Sequence, residues 1–257
     1  MNYRQELKIA IEAAAAAGEI QMRHRTDRLI VTIKSDASPV TEGDRLCERT
    51  IRDLIRQSFP ADGFLGEETG EEKGSSGRTW IVDPLDGTRP YIRGIPTHSA
   101  LIALEEGDDV VVGCMNLPAL KETYWASKGD GAFLNGDRLH VSKAASLGEV
   151  LGCGLGFVEK NATRDAAKLI ELMGRWGYAY GFMDAYSYGC IAAGRIDASV
   201  NLLDKPWDCA AAACIVEEAG GRFSDIRGKA TVHSGSIILT NGLVHDAILE
   251  YFQGSSF

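Results

Sequence analysis

Residues 80–94 read WIVDPLDGTRPYIRG. The apolar run Trp80-Ile81-Val82 ends at Asp83, and Asp86 follows with Pro84 between them and Gly87 and Thr88 just beyond. Two carboxylates at the end of a buried strand are costly unless they are solvated or paired. Acids mark two further stretches: Glu67 and Glu68 in GEET, and Asp208 in KPWDCAAAACIVEEAGG. A hard divalent cation such as magnesium takes oxygen ligands in near-octahedral array and keeps several waters. Two such ions, roughly 3.5–4 Å apart, need a bridging carboxylate with others beside it. An Asp-Pro-Leu-Asp turn can supply that: Asp83 bridging, the Leu85 carbonyl facing one ion, Asp86 facing the other. Pro84 fixes the turn and reduces the entropy lost on ordering. Gly87 lets backbone N–H groups approach an anion, and Thr88 adds a hydroxyl.

Each acid also has a plainer reading. Glu67 and Glu68 lie in GEETGEE, and acidic loops are usually solvated surface. Asp208 follows Pro206-Trp207 and precedes an Ala-rich helix, where a cap or first-turn acid is the default. Gly152-x-Gly154-x-Gly156 lacks the downstream helix and acid of a dinucleotide site. The five histidines show no ligand spacing.

The elements that must position these acids follow from periodicity. The Ala-rich N-terminus, with Leu7, Ile9, Ile11 and Ile20, reads as an amphipathic helix. RLIVTIK (28–34) reads as a strand, 35–44 as turn chemistry, and Thr41 as the N-cap of a helix over 44–58. Residues 59–78 give a short strand and a long polar loop. Residues 98–118 read as two strands joined by a Gly-Asp-Asp turn, and 122–139 as further short strands, together one antiparallel sheet flanked by helices. Beyond 145, strand 150–157, helix 161–175, a polar turn, helix 184–194, strand 195–201, helix 208–219, strand 236–240 and helix 242–252 alternate, which implies a layered α/β half. The expectation is a single domain over 1–257, with halves meeting near 144/145.

The chain has 257 residues, 45% hydrophobic and 25% charged, as in ordinary soluble proteins. A net charge of −9 weighs against nucleic acid or an anionic membrane as partner. It suits a protein that concentrates cations, and allows a phosphate substrate where a metal reverses the local sign. Six scattered cysteines without C-x-x-C spacing read as reduced core residues of a cytoplasmic protein. The N-terminus lacks the pattern of a signal peptide, and no window is apolar enough to span a bilayer. The tail YFQGSSF resembles part of a protease-tag scar and reads equally as native sequence continuing the last helix; no function is placed on it.

GEET, WIVDPLDGT and PWDCAAAACIVEEAGG, in this order and spacing, resemble the inositol-monophosphatase family of magnesium-dependent phosphomonoesterases, from about residue 30 to 250. The resemblance implies an alternating αβαβα sandwich, commonly a homodimer, that binds two or three Mg2+ ions and a small phosphorylated substrate. By motif, Glu67 matches the carboxylate that binds the first ion and orients the attacking water. Asp83 matches the bridging ligand, Leu85 the backbone ligand, Asp86 a second-ion ligand, and Asp208 the ligand from the other half. Thr88 with Asp44 resembles the pair that helps deprotonate the water. The N–H groups of Gly87 and Thr88 are expected to hold the phosphate, and Lys34 matches a nearby lysine. The implied chemistry is attack by metal-activated water on a phosphate monoester, with no phosphoenzyme. IPTHSALIAL, MDAYSYGCIAAGRIDASVN and KPWD look most like bacterial histidinol-phosphate phosphatases. In that reading Asp184 and Asn201 lie over the leaving-group pocket, although Asn201 stands where family members often carry an acid, and asparagine keeps the hydrogen bonding without the charge. Asp184 could equally be a helix N-cap. An inositol or other sugar-phosphate phosphatase, and a non-catalytic metal- or phosphate-binding protein, are the alternatives.

Overall fold

The computed structural model describes residues 3–25, 30–35, 38–158, 163–181 and 183–254. In chain order, α1 (Arg4–His24) leads to β1 (Val31–Ile33), β2 (Pro39–Thr41), α2 (Glu42–Ser58), β3 (Gly63–Gly66), β4 (Gly70–Glu72) and β5 (Arg78–Asp86). A short helix α3 (Thr88–Ile92) precedes β6 (Ser99–Glu106), β7 (Asp109–Leu117), β8 (Glu122–Ser127), β9 (Gly131–Leu134) and β10 (Asp137–Arg138). The second half runs β11 (Leu151–Leu155), α4 (Arg164–Met173), β12 (Tyr178–Tyr180), α5 (Asp184–Ala192), β13 (Ala198–Asn201), α6 (Pro206–Glu218), β14 (Arg222–Ser224), β15 (Ile237–Thr240) and α7 (His245–Gln253).

These elements stack in five layers, αβαβα. An eight-stranded sheet, ordered β10-β9-β8-β7-β6-β5-β3-β4, carries α1 and α2 on one face and α5 with α6 on the other. A five-stranded sheet, ordered β12-β11-β13-β15-β14, covers the far side of α5 and α6, and α4 with α7 close its outer face. The all-Ala face of α1 (Ala10, Ala13, Ala14, Ala17) is fully buried. Small side chains let the helix settle so close to β7 that Asn116 donates to the Ala14 carbonyl at 2.8 Å. CAAAACIV in α6 is apolar all round because that helix lies between two sheets. Gly113 on β7 is needed for the same contact, since a Cβ there would fall 2.3 Å from the Ala211 carbonyl oxygen.

Several expected elements are refined. The first sheet is not purely antiparallel, because β3 and β5 run parallel. The loop expected over 59–78 contains β4, so Glu67 and Glu68 lie in the tight β3–β4 connection. Asp109 belongs to β7, which leaves a two-residue Gly107-Asp108 turn. The polar turn expected after 175 contains β12, and β14 follows α6. Parts of the expected strand 28–34 and helix 161–175, and the end of the YFQGSSF tail, lie outside the described residues. All six cysteines are buried, and no described helix is long and apolar enough to cross a membrane.

Candidate active site

The strand that carries the paired acids does not stop at Asp83. It continues to Asp86, and Asp-Pro-Leu-Asp is a bulge within it rather than a turn: Asp83 pairs with Leu101 and Asp86 with Ser99. Three steps on β5 therefore face two on β6, and the extra residue pushes the chain outward. Proline is tolerated there because a bulge asks for no ladder N–H. The Leu85 N–H donates to Asp83 Oδ1 at 2.9 Å, fixing the first carboxylate against its own backbone. Gly87 then takes a left-handed φ of 75° and starts α3. The first N–H groups of that helix have no intrahelical acceptor, an arrangement suited to an anion.

The fold brings Asp83, Asp86 and Asp208 together: each offers an oxygen within 4.8 Å of the others. Asp86 Oδ2 accepts from Ser99 Oγ at 3.1 Å and from Ala185 N at 3.3 Å. Asp208 serves twice. Its Oδ2 accepts Lys205 N at 2.7 Å, capping α6, while its carboxylate joins the cluster. Burial pushes Asp83 well above the carboxylate range, and the charges of Glu67, Asp86 and Asp208 push the same way. Asp86 is raised by burial and by Asp184 and Asp208, and Asp208 by burial and by Asp204 and Glu67. Three all-oxygen donors crowded in a poorly solvated place fit a hard divalent cation such as magnesium.

Glu67 stands just outside that trio. Its N–H donates to the Val82 carbonyl at 3.2 Å, which continues the β3–β5 pairing and sets Glu67 beside Asp83. Lys34 Nζ lies 2.9 Å from Glu67 Oε1 and 2.5 Å from Glu68 Oε1. Burial opposes the Lys34 charge, but the two glutamates outweigh it and hold the ammonium above its ordinary range. Asp44 is fully buried in the capping box of α2 and accepts from Thr41 N at 2.8 Å and Thr41 Oγ at 2.5 Å. Its other oxygen is 3.2 Å from Thr88 Oγ, as is the Leu85 carbonyl. The expected Thr88–Asp44 pair is thus in direct contact.

Asp184 and Asn201 share a cavity of about 170 Å³ with Asp86, Asp204, Asp208 and Tyr188. It adjoins a second cavity of about 280 Å³ that the same two residues line with Phe157 and Leu203. Asp184 is not a cap. Met183 precedes the helix, and Asp184 itself has a φ of 42°, a left-handed value that aspartate tolerates better than most residues. Burial raises its carboxyl. The Gly152-x-Gly154-x-Gly156 run is a packing feature: Cβ atoms at the first two would meet Trp176 at 2.5 Å and Met173 at 2.3 Å. A larger cavity of about 440 Å³, by Asp165, Asp225 and Arg227, holds none of the predicted site residues.

Sequence reasoning missed Asp204, Gln21 and His98. Asp204 is 3% exposed, and its carboxyl is raised to about 7, first by burial, then by Asp86 and Asp184, against the hydrogen bond from Tyr188. Its signal was an acid four residues before Asp208. Gln21 continues the buried Ala10/Ala14/Ala17 stripe, where a polar residue is conspicuous.

A family model described as the inositol monophosphatase family matches residues 2–256. A histidinol-phosphatase of Chlorobaculum parvum is 40% identical, over 90% of this chain and 89% of its own. A fructose-1,6-bisphosphatase/inositol-1-monophosphatase of Thermotoga maritima is also 40% identical, over 82% and 81%. The solved structure of a Thermotoga maritima IMPase superposes with a TM-score of 0.87 at 35% identity, over 97% of both chains. The five-layer fold and its oxygen-lined centre are those of a metal-dependent phosphoric monoester hydrolase. The chain belongs to the inositol monophosphatase family.

Proposed function

We propose that the whole chain acts as one magnesium-dependent phosphomonoesterase of small phosphorylated alcohols, with L-histidinol phosphate as its preferred substrate. The observation that carries the metal chemistry is the convergence of Asp83, Asp86 and Asp208 beside the Thr88–Asp44 pair. Asp83, Asp86, Asp208, Glu67 and the Leu85 carbonyl would hold two or three magnesium ions. When bound, these ions supply positive charge to the phosphoryl group and lower the pKa of water.

The chain's own residues do the rest. The N–H groups of Gly87 and Thr88 bind phosphate oxygens. Glu67 orients the attacking water. The Thr88 hydroxyl accepts a hydrogen bond from that water and relays its proton to Asp44, whose burial raises its pKa and makes it a better acceptor. Asp184 and Asn201 face the leaving alcohol. Histidinol phosphate is favoured by the relative of that name and by the acidic leaving-group cavity. A second reading, a sugar-phosphate phosphatase, is favoured by the relative named for fructose-1,6-bisphosphate and inositol 1-phosphate, and by the missing acid at Asn201. The family resemblance also supports a cytoplasmic homodimer, which sedimentation of the purified protein checks for its subunit count.

The test is turnover with magnesium on L-histidinol phosphate, myo-inositol 1-phosphate and fructose 1,6-bisphosphate. Preference for the first supports the assignment, and preference for either sugar overturns it in favour of the second reading. No phosphate release from any monoester sinks the phosphatase altogether.

A further inference from the structure

Asn201 stands where an acid is common in the family, yet its amide is fully engaged by the protein. Oδ1 accepts Leu203 N at 3.1 Å, and Nδ2 donates to Asp204 Oδ1 and lies 3.1 Å from Tyr188 Oη. Both N–H donors are spent on neighbours, so Asn201 has none left for a substrate.

The acid reappears three residues on. Asp204 accepts the Tyr188 hydroxyl at 2.7 Å on Oδ2 and Asn201 on Oδ1. Both oxygens accept, so two neutral donors fix the carboxyl group in place against the cavity. Asp204 lines the same cavity as Asp184, and no lysine, arginine or histidine among the described residues forms an ion pair with either acid. Asp86 and Asp208, on the same cavity, are the acids assigned to magnesium, which leaves Asp184 and Asp204 as the acids there without a protein counter-ion among the described residues. An acid at 201 would meet Asp204 as a like charge and could not donate to it. Asn201 with Asp204, and an acid at 201 alone, are thus two alternative ways to place one charge in this cavity.

We propose that Asp204, positioned by Asn201 and Tyr188, is with Asp184 the specificity determinant for a cationic leaving group, that is, for phosphorylated amino alcohols over neutral polyols. The proposal rests on the phosphatase reading of the same site.

Asp204→Asn removes the charge and keeps the shape. The experiment compares kcat and KM for phosphoethanolamine and L-histidinol phosphate with those for ethylene glycol phosphate, which lacks the amine. One partly screened charge at short range predicts that kcat/KM for the amines falls at least about tenfold, through KM, while the glycol ester changes less than about threefold. The double variant Asn201→Asp/Asp204→Asn, which moves the charge back three residues, restores the preference for the amines. Equal loss on both substrate types, no loss on either, or a wild type that prefers the neutral ester overturns the proposal and leaves the phosphatase standing. If the wild type cleaves no monoester, the phosphatase fails instead. Calorimetric binding of free L-histidinol to wild type and Asp204→Asn then decides on Asp204 alone: weaker binding by the variant supports it, and equal binding overturns it.

Discussion

The Gln21 side chain, reaching from α1, donates to the Pro84 carbonyl at 2.9 Å and to the Ser99 carbonyl at 3.1 Å. These are the carbonyls flanking the point where the β5–β6 register slips. With both N–H groups used, Gln21 Oε1 must accept, so His98 Nδ1, 2.8 Å away, carries its proton. Burial, and then Arg25, hold His98 down at about 4, so it stays neutral and in that tautomer. Gln21→Glu keeps the size but loses both donors. It is expected to cost about 1–3 kcal/mol in urea unfolding, the usual penalty for buried acceptors left unpaired, and to weaken magnesium binding. Unchanged magnesium affinity in this variant would show that the bulge is held by other contacts.

Asp83→Asn separates fold from function. The change removes one of the crowded negative charges at nearly constant volume. Activity should fall by at least about a hundredfold, as expected when a charge that stabilises the transition state is lost. Metal-free protein should become more stable, by about 2–4 °C for each kcal/mol of repulsion relieved. Phosphate-release assays and thermal melts in EDTA report the two effects. A variant with near-normal turnover would refute the role given to Asp83.

Much of this site was legible because its acids fall in short contiguous motifs. GEET, DPLDGT and PWD each place a carboxylate by local chain geometry, and Thr41 could be read directly as the N-cap of α2, though the capping box it forms with Asp44 shows only in the structure. The bulge was not legible. Pro84 inside an apolar strand reads as a stop, and only pairing with β6 shows the strand continuing to Asp86. The strands β12 and β14 have three residues each, too few for a period to show. Gln21 and Asp204 act through partners distant in sequence or through a loop, and no local pattern announces such contacts.

The protonation of the cluster makes stability depend on pH, with a sign that magnesium should change. Asp83, Asp86 and Asp208 are raised by burial and mutual repulsion, and Asp204 to about 7. Unfolded carboxyls titrate near about 4, so between these values the folded state holds more protons. The contribution is full below the unfolded value and is lost as pH rises through the folded ones. The neutral, buried His98 and His245 act in the opposite sense at acid pH, but they cancel when magnesium and EDTA are compared at each pH. The magnesium-induced gain in melting temperature should therefore be larger at pH 8 than at pH 5.5, by at least about 4 °C. Equal gains at both would mean that the cluster loses no protons when the metal binds.

Lys34 occupies the position a cation would take against Glu67. Its ammonium lies between Glu67 and Glu68, and both it and Glu67 are about one-fifth exposed, so screening by water is incomplete. Any ion that uses Glu67 must displace this contact or share it. Lys34→Met keeps the length of the stem and removes the charge, leaving Glu67 without its nearest counter-ion. The magnesium concentration for half-maximal binding, followed by calorimetry so that turnover plays no part, is expected to fall by about threefold to tenfold, in line with one partly screened charge at this distance. Weaker binding would mean that the lysine acts with the metal, orienting Glu67 for it rather than competing.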